Sequence, residues 1–457
     1  MSDYDVIIIG GGPGGYLAAE RLGHAGMRVL LAEADTVGGT CLNVGCIPTK
    51  SLLHSAKTYR HALDGAMFGV NVTGVQADWS AMQAWKAKTV GTLVGGVQAN
   101  LRRLGVTIVH EHARVVGAGR VEVAGSVHKA DHVIVATGSE PVMPPIPGAD
   151  GRVVDSTGLL AVEVIPERLV VIGGGVIGVE FASLFAALGS QVDVVELLPE
   201  ILPFMDTDIA SRVRAGIEGV TFHLGCRVES LDGEPGSTTV RFTDADGSEQ
   251  ALTADTVLMA VGRRPRIADS GAAEAGLDLV RGAIRVDDTM RTNLPGVWAV
   301  GDVTGRSLLA HAAYRMAEIA TANILSLGRV PPGERLREDT IPWAVYAIPE
   351  SAGVGLSESQ AEARGLDVTS AVVPLYLSGR FVAENGVGAP GAVKLVAETG
   401  SRVVRGIHML GTYAPEMIWG AVSVLENELT IDDLRQIVFP HPTVSEGIRE
   451  ASWAIFS

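Results

Sequence analysis

The sequence predicts an α/β fold in which one parallel-sheet unit occurs twice and is followed by a unit of mixed α+β structure. In VIIIGGGPGGYLAAERL, residues 6–22, a β-branched run leads through glycines into an amphipathic helix. The segment LVVIGGGVIGVEFASL, residues 169–184, repeats that order. From about residue 340 the sequence alternates apolar strands with helices and has no such glycine turn, which indicates a different kind of unit.

The first glycine-rich segment has the spacing of a dinucleotide-binding turn. Gly10, Gly12 and Gly15 fit G-x-G-x-x-G, and the next apolar run ends at Glu33. In this pattern the first glycine makes the tight turn, the second lets a pyrophosphate approach the backbone, and the third lets the helix pack on the sheet. The pyrophosphate lies on the positive helix N-terminus, and the carboxylate accepts from ribose hydroxyls. The segment therefore predicts a Rossmann-like domain.

The second copy keeps the register of the first. Gly173, Gly175, Gly178 and Glu196 each lie 163 positions after their counterparts, since 173 − 10 and 196 − 33 give the same difference. Two copies in one register predict two dinucleotide sites. A carboxylate at Glu196 would repel a 2′-phosphate, and no arginine comes directly after it in ELLPE, so we expect NAD rather than NADP at the second site.

Each copy is closed by a further apolar strand that runs into a glycine turn. These strands lie in HVIVATGSEP, residues 132–141, and TVLMAVGRRP, residues 256–265. A third segment, residues 296–305, reads as a strand that reaches Asp302 before a helix from about Ala310. An acid at that place suits contact with a polyol chain or phosphate, and it also suits an N-cap.

These landmarks predict three domains. The first two are Rossmann-like and the third is an α+β unit, with the boundaries 1–147 plus 266–338, 148–265, and 339–457. In the third we expect antiparallel strands at 371–377, 391–398 and 402–411 and helices at 414–427 and 444–455.

Bulk composition excludes several classes of protein. The 457 residues carry a formal net charge of −16, which argues against nucleic acid or an anionic membrane as the main partner. No apolar run reaches the roughly 18 residues of a membrane helix, and we expect no secretory signal. Three cysteines are too few for a secreted disulfide scaffold, so we expect a cytoplasmic protein.

Two of the cysteines are close together in GGTCLNVGCIPTK, residues 38–50. Metal binding by Cys41 and Cys46 is disfavoured because no further Cys or paired His is near. Unrelated buried thiols are a second alternative, which the position just past a nucleotide fingerprint opposes. The sequence therefore predicts a redox pair. Cys226 is expected to be a core or loop thiol.

The spacing of the pair predicts irregular backbone. Residues five apart in a regular helix have Cα atoms about 8.7 Å apart, whereas a disulfide needs about 4.4–6.8 Å. Gly45 and Asn43 are suitable residues for the irregularity. We expect both cysteines at the start of one helix, with Cys46 further in and better stabilised as a thiolate.

The order of these motifs, together with FPHPTVSE at residues 439–446, resembles the pyridine nucleotide–disulfide oxidoreductases, and within them the dihydrolipoyl dehydrogenases. The likeness covers essentially the whole chain. It implies that the first fingerprint binds FAD, with Glu33 at its ADP half and Asp302 at its ribityl region, and that the second binds NAD. The implied FAD residues are Gly10, Gly12, Gly15, Glu33, Lys50, Thr137, Gly138, Asp302 and Ala310. The implied NAD residues are Gly173, Gly175, Gly178, Glu196 and Gly262, and no metal is expected.

The resemblance also implies catalytic roles. Cys46 faces the flavin, and Cys41 exchanges with the substrate dithiol. His441 is the base and Glu446 its orienting carboxylate, and both act across a homodimer interface on the cysteines of the other subunit. A histidine suits this role because it titrates near neutrality. A further pair, Lys50 and Glu180, lies beside the reactive flavin nitrogen.

The implied reaction oxidises protein-bound dihydrolipoamide and reduces NAD. The partner would be a lipoyl-bearing protein, either the E2 component of a 2-oxo acid dehydrogenase complex or a glycine cleavage H-type protein. The alternatives are a glutathione- or mercuric-reductase-like enzyme, or a non-catalytic protein that binds FAD and NAD. The chain departs from the dehydrogenase pattern at three places: Met316, Ala347 and the pair Trp419 and Gly420.

Overall fold

The structure is a computed structural model that describes residues 2–326 and 335–456. The strands are β1 Tyr4–Ile9, β2 Val29–Ala32, β3 Thr107–Val109, β4 Ala113–Gly117, β5 Arg120–Val123, β6 Ser126–Val135, β7 Ser139–Pro141, β8 Arg168–Ile172, β9 Gln191–Val195, β10 Val220–His223, β11 Arg227–Glu234, β12 Ser237–Thr243, β13 Glu249–Ala254, β14 Thr256–Met259, β15 Arg263–Pro265, β16 Leu279–Val280, β17 Ala283–Ile284, β18 Val297–Ala299, β19 Trp343–Val345, β20 Ser351–Gly355, β21 Val368–Pro374, β22 Ala392–Glu398 and β23 Val404–Leu410.

The helices are α1 Pro13–His24, α2 Gly39–Val44, α3 Cys46–Leu63, α4 Trp79–Arg103, α5 Ser156–Leu160, α6 Val176–Ala187, α7 Thr207–Gly216, α8 Ala310–Leu325, α9 Glu358–Ala363, α10 Gly379–Asn385, α11 Ala414–Glu426, α12 Ile431–Gln436 and α13 Glu446–Ala454. The described residues fall into two compact units. One is drawn from Met1–Leu52, Ser80–Val142 and Gly262–Glu338, and the other from Leu53–Trp79, Met143–Val261 and Asp339–Ser457.

The first unit is built on a sheet in the order β3-β2-β1-β6, with β18 on the far side of β6. These strands are parallel, and Ile7 pairs with Leu30 on one side and Val133 on the other. All three side chains are buried. Parallel strands are covered on both faces, which is why the run Val6–Ile9 is continuously apolar instead of alternating. Strands β4 and β5 continue from β6 as an antiparallel ribbon.

The second unit contains a parallel sheet of the same design as the first. Strands β10-β9-β8-β14 form this sheet, with Val170 paired to Asp193 and Val257. The strands β11-β12-β13, which lie between β10 and β14 in the sequence, form a separate antiparallel sheet. The C-terminal part forms an antiparallel sheet, β19-β20-β23-β22-β21, and α11 and α13 supply Ile418 and Ile448 to the core against it.

The predicted fold class, two Rossmann-like sheets followed by an α+β unit, is confirmed. The predicted C-terminal helices correspond to α11 and α13. The predicted strand at 371–377 is too long at its end, because β21 stops at Pro374 and residues 375–377 form a 3-10 turn. Asp302 is not an N-cap: it lies inside a 3-10 turn, Gly301–Thr304, and Leu309 precedes α8.

Candidate active site

The first glycine turn is set by close contacts of its backbone. Gly10 has φ of +100°, and a Cβ there would lie 2.3 Å from the Ala136 carbonyl oxygen. A Cβ on Gly15 would lie 1.8 Å from the Gly10 oxygen. Both contacts are with backbone atoms that cannot move aside cheaply, so only glycine fits at either position.

The second turn repeats these contacts. Gly173 has φ of +108°, and a Cβ there would lie 2.5 Å from the Ala260 oxygen. A Cβ on Gly178 would lie 2.0 Å from the Gly173 oxygen. The duplication inferred from spacing therefore extends to the steric reason for the first and third glycines of each turn.

The two acids also correspond. Glu33 accepts from the Gly11 N–H at 2.6 Å and from the Asp35 N–H at 2.9 Å. Glu196 accepts from the N–H of Gly174 at 2.5 Å and of Leu198 at 2.7 Å, which are the positions 163 further along. The sequence predicted contacts of these carboxylates with ribose hydroxyls alone. The structure adds that each carboxylate joins its glycine turn to the end of the following strand, β2 or β9. Each carboxylate can still accept further hydrogen bonds, as from ribose hydroxyls.

The beginnings of α1 and α6 fit dinucleotides. Gly12 and Gly175 are the N-caps, with φ, ψ of −71°, −173° and −73°, −176°. No side chain in the described part of the chain caps the leading N–H groups of either helix, and a helix start of this kind binds a pyrophosphate.

The cysteine segment rests directly on the first turn. The Gly38 N–H donates to the Gly11 oxygen at 2.8 Å. Gly39 has φ of +55°, and a Cβ there would lie 2.6 Å from the Gly12 Cα. Asn43 ties the loop from within by donating to the carbonyl of Gly39 at 3.0 Å. The residues that bear the thiols are therefore fixed to the turn proposed for FAD.

The expected irregularity between the cysteines is confirmed, and it is larger than expected. Cys41 lies in α2, which ends at Val44, whereas Cys46 is the first residue of the 18-residue α3. Gly45 breaks the helix with φ, ψ of −143°, −107°, and a Cβ there would lie 2.8 Å from the Thr40 oxygen. The expectation of one shared helix was therefore wrong. Cys46 is the residue that receives the field of a long helix N-terminus.

The two sulfurs of the pair are thiols that share a hydrogen bond. This hydrogen bond to Cys46 is the largest cause that raises the pKa of Cys41, followed by burial, while the charge of Lys50 opposes them. Cys41 therefore holds its proton tightly. The placement of negative charge on Cys46 stays a prediction.

Two tyrosines near the cysteines were not singled out from the sequence. The phenol oxygens of Tyr16 and Tyr314 hydrogen-bond to each other, and the ring centroids are 5.9 Å apart. Burial is the largest cause that raises the pKa of both phenols, and the charges of Cys41 and Cys46 add to it. The tyrosines are therefore neutral neighbours of the thiol pair. The only sequence signal was that Tyr16 comes directly after the third glycine.

The remaining residues predicted for the nucleotides lie at turns and helix starts. Gly138 and Gly262 have φ of +74° and +122°. Thr137 donates its hydroxyl to the Arg266 oxygen at 2.8 Å, and Ala310 is the first residue of α8. Asp302 accepts from the Ser139 hydroxyl.

His441 and Glu446 form a pair in the second unit. Their Nδ1 and Oε1 atoms are 2.9 Å apart, and the other carboxylate oxygen accepts from the Thr443 N–H at 3.0 Å. These bonds lower the pKa of Glu446, the one from His441 most. The His441 side chain is 77% exposed, so its ring is presented to solvent in the single subunit. The predicted base and orienting carboxylate are thus adjacent.

Lys50 and Glu180 lie in different units, and their predicted pairing stays a prediction. Lys50 is on α3, one turn after Cys46. Glu180 is buried in α6 and accepts from the Tyr346 N–H at 2.9 Å.

The three departures from the dehydrogenase pattern have different surroundings. Met316 is fully buried, and its sulfur accepts from the Gly301 N–H at 3.2 Å. Ala347 is fully buried in the second unit. Trp419 is 72% exposed on α11. Met316 therefore contacts the backbone next to Asp302.

Within residues 2–326 and 335–456, no group of three or more His, Cys, Asp or Glu is arranged to hold a metal ion. In the same residues no helix is both long and apolar enough to cross a membrane.

Comparison with known proteins decides the family. Residues 4–317 match the family described as pyridine nucleotide-disulphide oxidoreductase, and residues 341–452 match the dimerisation domain of that family. The chain belongs to the pyridine nucleotide–disulphide oxidoreductases. As a member, it is an oxidoreductase that uses FAD and NAD(H), and the dimerisation domain indicates a homodimer.

Individual relatives cover the whole chain. It is 39% identical over 462 residues to a dihydrolipoyl dehydrogenase of Thermus scotoductus, covering 100% of this chain and 98% of the relative. A leghemoglobin reductase of Vigna unguiculata is 35% identical, with coverage of 99% and 87%. Among solved structures, a Cu(II) complex of the HOCl-induced flavoprotein disulfide reductase RclA from Escherichia coli superposes with a TM-score of 0.87, at 29% identity and 99% coverage of both chains.

Proposed function

We propose that this oxidoreductase oxidises protein-bound dihydrolipoamide to lipoamide and passes the two electrons to NAD. The observation that carries the proposal is the Cys41–Cys46 thiol pair, which is fixed to one dinucleotide turn in a chain that has a second turn of the same construction. Relatives named dihydrolipoyl dehydrogenase support the substrate.

We assign one cofactor to each turn, in the order that the sequence predicts. FAD lies on the Gly10–Gly15 turn with Glu33, Lys50, Thr137, Gly138, Asp302 and Ala310. NAD lies on the Gly173–Gly178 turn with Glu196 and Gly262. The domains that correspond are residues 1–147 with 266–338 for FAD, 148–265 for NAD and 339–457 for dimerisation. The chemistry that bound FAD supplies is two-electron transfer between a thiol pair and a nicotinamide.

The protein's own residues carry out the exchange of sulfur bonds. In the oxidised enzyme Cys41 and Cys46 form a disulfide. His441 takes a proton from one substrate thiol, and the resulting thiolate attacks the Cys41 sulfur and releases Cys46 as a thiolate. The second substrate thiol then attacks the substrate sulfur bonded to Cys41, and its proton passes to the departing Cys41 sulfur. This step closes the lipoyl disulfide and leaves Cys41 as a thiol and Cys46 as a thiolate. Glu446 holds the His441 ring and stabilises the imidazolium.

The exposed position of His441 supports an intersubunit site. With the ring 77% exposed in a single subunit, we propose that it faces the cysteine pair of the second subunit. The partner substrate is a lipoyl-bearing protein, of the E2 or glycine cleavage H type. A redox-active cysteine pair suits a reducing compartment, and we propose a cytoplasmic location.

The direct test supplies purified holoprotein with dihydrolipoamide and NAD and measures NADH formation. We expect turnover, and we expect NADPH formation from NADP to be at least about tenfold slower because of the Glu196 carboxylate. Absence of NADH formation by protein that retains FAD would contradict the proposal.

A second candidate is a different disulfide reductase, and the superposition on RclA favours it. The same preparation supplied with NADH and either lipoamide or glutathione disulfide separates the two. Faster oxidation of NADH by glutathione disulfide would favour the second candidate.

A further inference from the structure

The residues that come directly after the two closing glycine turns contact each other. Ser139 is next to Gly138 in the chain, and Arg263 is next to Gly262. Their strands β7 and β15 pair antiparallel, with Pro265 opposite Ser139. Ser139 and Arg263 thus hold the same place in the two copies, and both belong to the first unit.

Arg263 binds Ser139 through two hydrogen bonds. Its Nε donates to the Ser139 hydroxyl at 2.8 Å, and Nη2 donates to the Ser139 carbonyl oxygen at 2.7 Å. The Ser139 hydroxyl in turn donates to Oδ2 of Asp302 at 2.5 Å. A hydroxyl has a single proton. Because the hydroxyl oxygen accepts from Arg263, its proton points to the Asp302 carboxylate. The hydrogen bonds therefore run from Arg263 through Ser139 to Asp302.

Asp302 is half-buried, so its carboxylate benefits from such a partner. Burial raises the pKa of Asp302, whereas the bond from Ser139 and the charge of Arg263 act in the opposite direction. Hydrogen bonds and opposite charge offset the cost that burial imposes on a carboxylate. The chain of hydrogen bonds occupies one acceptor position of Oδ2 and leaves the carboxylate further acceptor positions for a ligand.

We propose that Ser139 and Arg263 are positioning residues that hold the Asp302 carboxylate in the orientation that binds hydroxyl groups of a polyol chain. The inference rests on the proposed function, in which that polyol chain is the ribityl part of FAD. In that function, the residues that follow Gly138 and Gly262 support the carboxylate that binds the flavin half. The proposal predicts that these two residues act on the flavin half of FAD and leave the ADP half unaffected.

The experiment uses holoprotein of four kinds: wild type, Ser139→Ala, Arg263→Met and the control Arg264→Met. Arg264 is on the same strand, but its side chain is 67% exposed and pairs with Glu140 at the surface. FAD release on dilution is measured by flavin fluorescence. We expect FAD affinity to fall about tenfold in the first two variants, the ratio that corresponds to about 1.4 kcal/mol, and to change less than about twofold in Arg264→Met.

Displacement by ADP separates positioning from general damage. Because only the flavin half should be weakened, the ADP concentration that displaces half of the FAD should fall by the same factor as FAD affinity. An unchanged half-displacing concentration, or unchanged FAD affinity, would overturn the inference. The outcome is independent of the substrate proposal: if wild-type protein fails to oxidise dihydrolipoamide while the pattern of FAD and ADP affinities holds, only the proposed substrate is wrong.

Discussion

The two glycine turns have the same backbone and differ in the segment that the chain forms after the acid. After Glu33 the chain returns to the first glycine turn, where the Gly38 N–H donates to the Gly11 oxygen at 2.8 Å. After Glu196 it returns to the second turn, where the Leu202 N–H donates to the Gly174 oxygen at 3.0 Å. We call these two segments the first and the second return. The difference is in the side chains: the first return carries glycines and the cysteine helices, and the second carries a buried leucine.

Only the first copy places cysteines at its glycine turn, and one steric contact distinguishes that copy. Gly39 and Leu202 lie 163 positions apart and have φ of +55° and +51°. The conformation itself therefore tolerates a side chain. Glycine is required in the first copy because a Cβ would lie 2.6 Å from the Gly12 Cα, whereas a Cβ on Gly175 meets nothing within 4 Å. The first return contacts Gly12 and brings the cysteines to the turn, whereas the second return approaches Gly174 through Ile201 and leaves Gly175 open.

The largest expected effect is loss of the Cys46 thiol, which we propose faces the flavin. Cys46→Ser should lower NAD-linked oxidation of dihydrolipoamide by at least about a thousandfold, because a covalent step loses its leaving sulfur. The measurement is steady-state NADH formation at saturating dihydrolipoamide. Cys226→Ser is the matched control, since that buried thiol donates to the Leu224 oxygen as a hydroxyl also can, and its activity should stay near wild type. Equal losses in both variants would contradict the special role of Cys46.

The next prediction separates the two acids. Glu33→Gln and Glu196→Gln each keep one acceptor oxygen but lose the negative charge that accepts from two backbone N–H groups. A hydrogen bond to a charged group contributes about 1.5–3 kcal/mol to stability. We expect Glu33→Gln to weaken FAD retention about 10–100-fold and leave the KM for NAD near wild type. Glu196→Gln should raise the KM for NAD by a similar factor and leave FAD retention intact. A reversed pattern would show that the cofactors are assigned to the wrong turns.

The steric distinction between the turns is tested by Gly39→Ala. The added methyl group must displace the Gly12 backbone or the cysteine segment, at a cost of about 1–3 kcal/mol. We expect a lower unfolding midpoint and faster alkylation of Cys41 and Cys46. Gly95→Ala is the control, because a Cβ at that position in α4 meets nothing within 4 Å, and alanine there should be neutral or slightly stabilising. Identical behaviour of the two variants would refute the steric argument.

The sequence predicted the two glycine turns well, and it predicted the contacts that surround them less well. Register and glycine spacing identified both turns because steric contact fixes those glycines. Spacing also showed that Cys41 and Cys46 require irregular backbone. It did not show that Gly45 divides two helices, since that depends on the approach of the Thr40 carbonyl. The contacts of Ser139 with Asp302 and of Tyr16 with Tyr314 join residues distant in sequence, which local patterns cannot reveal.

The smallest expected effect concerns Met316. Its sulfur is a weak acceptor for the buried Gly301 N–H, so Met316→Leu should cost about 1–2 kcal/mol and lower the unfolding midpoint by a few degrees. If Met316→Leu is as stable as wild type, the sulfur contact contributes nothing to the turn that bears Asp302.

The most direct measurement asks whether electrons that enter at the second turn reach the cysteines on the first. Oxidised holoprotein is mixed without oxygen with one equivalent of NADH, alkylated, and digested for mass spectrometry. The account predicts that Cys41 and Cys46 change together from disulfide to two labelled thiols while the labelling of Cys226 stays the same. Protein that consumes the NADH and leaves Cys41 and Cys46 joined would contradict it.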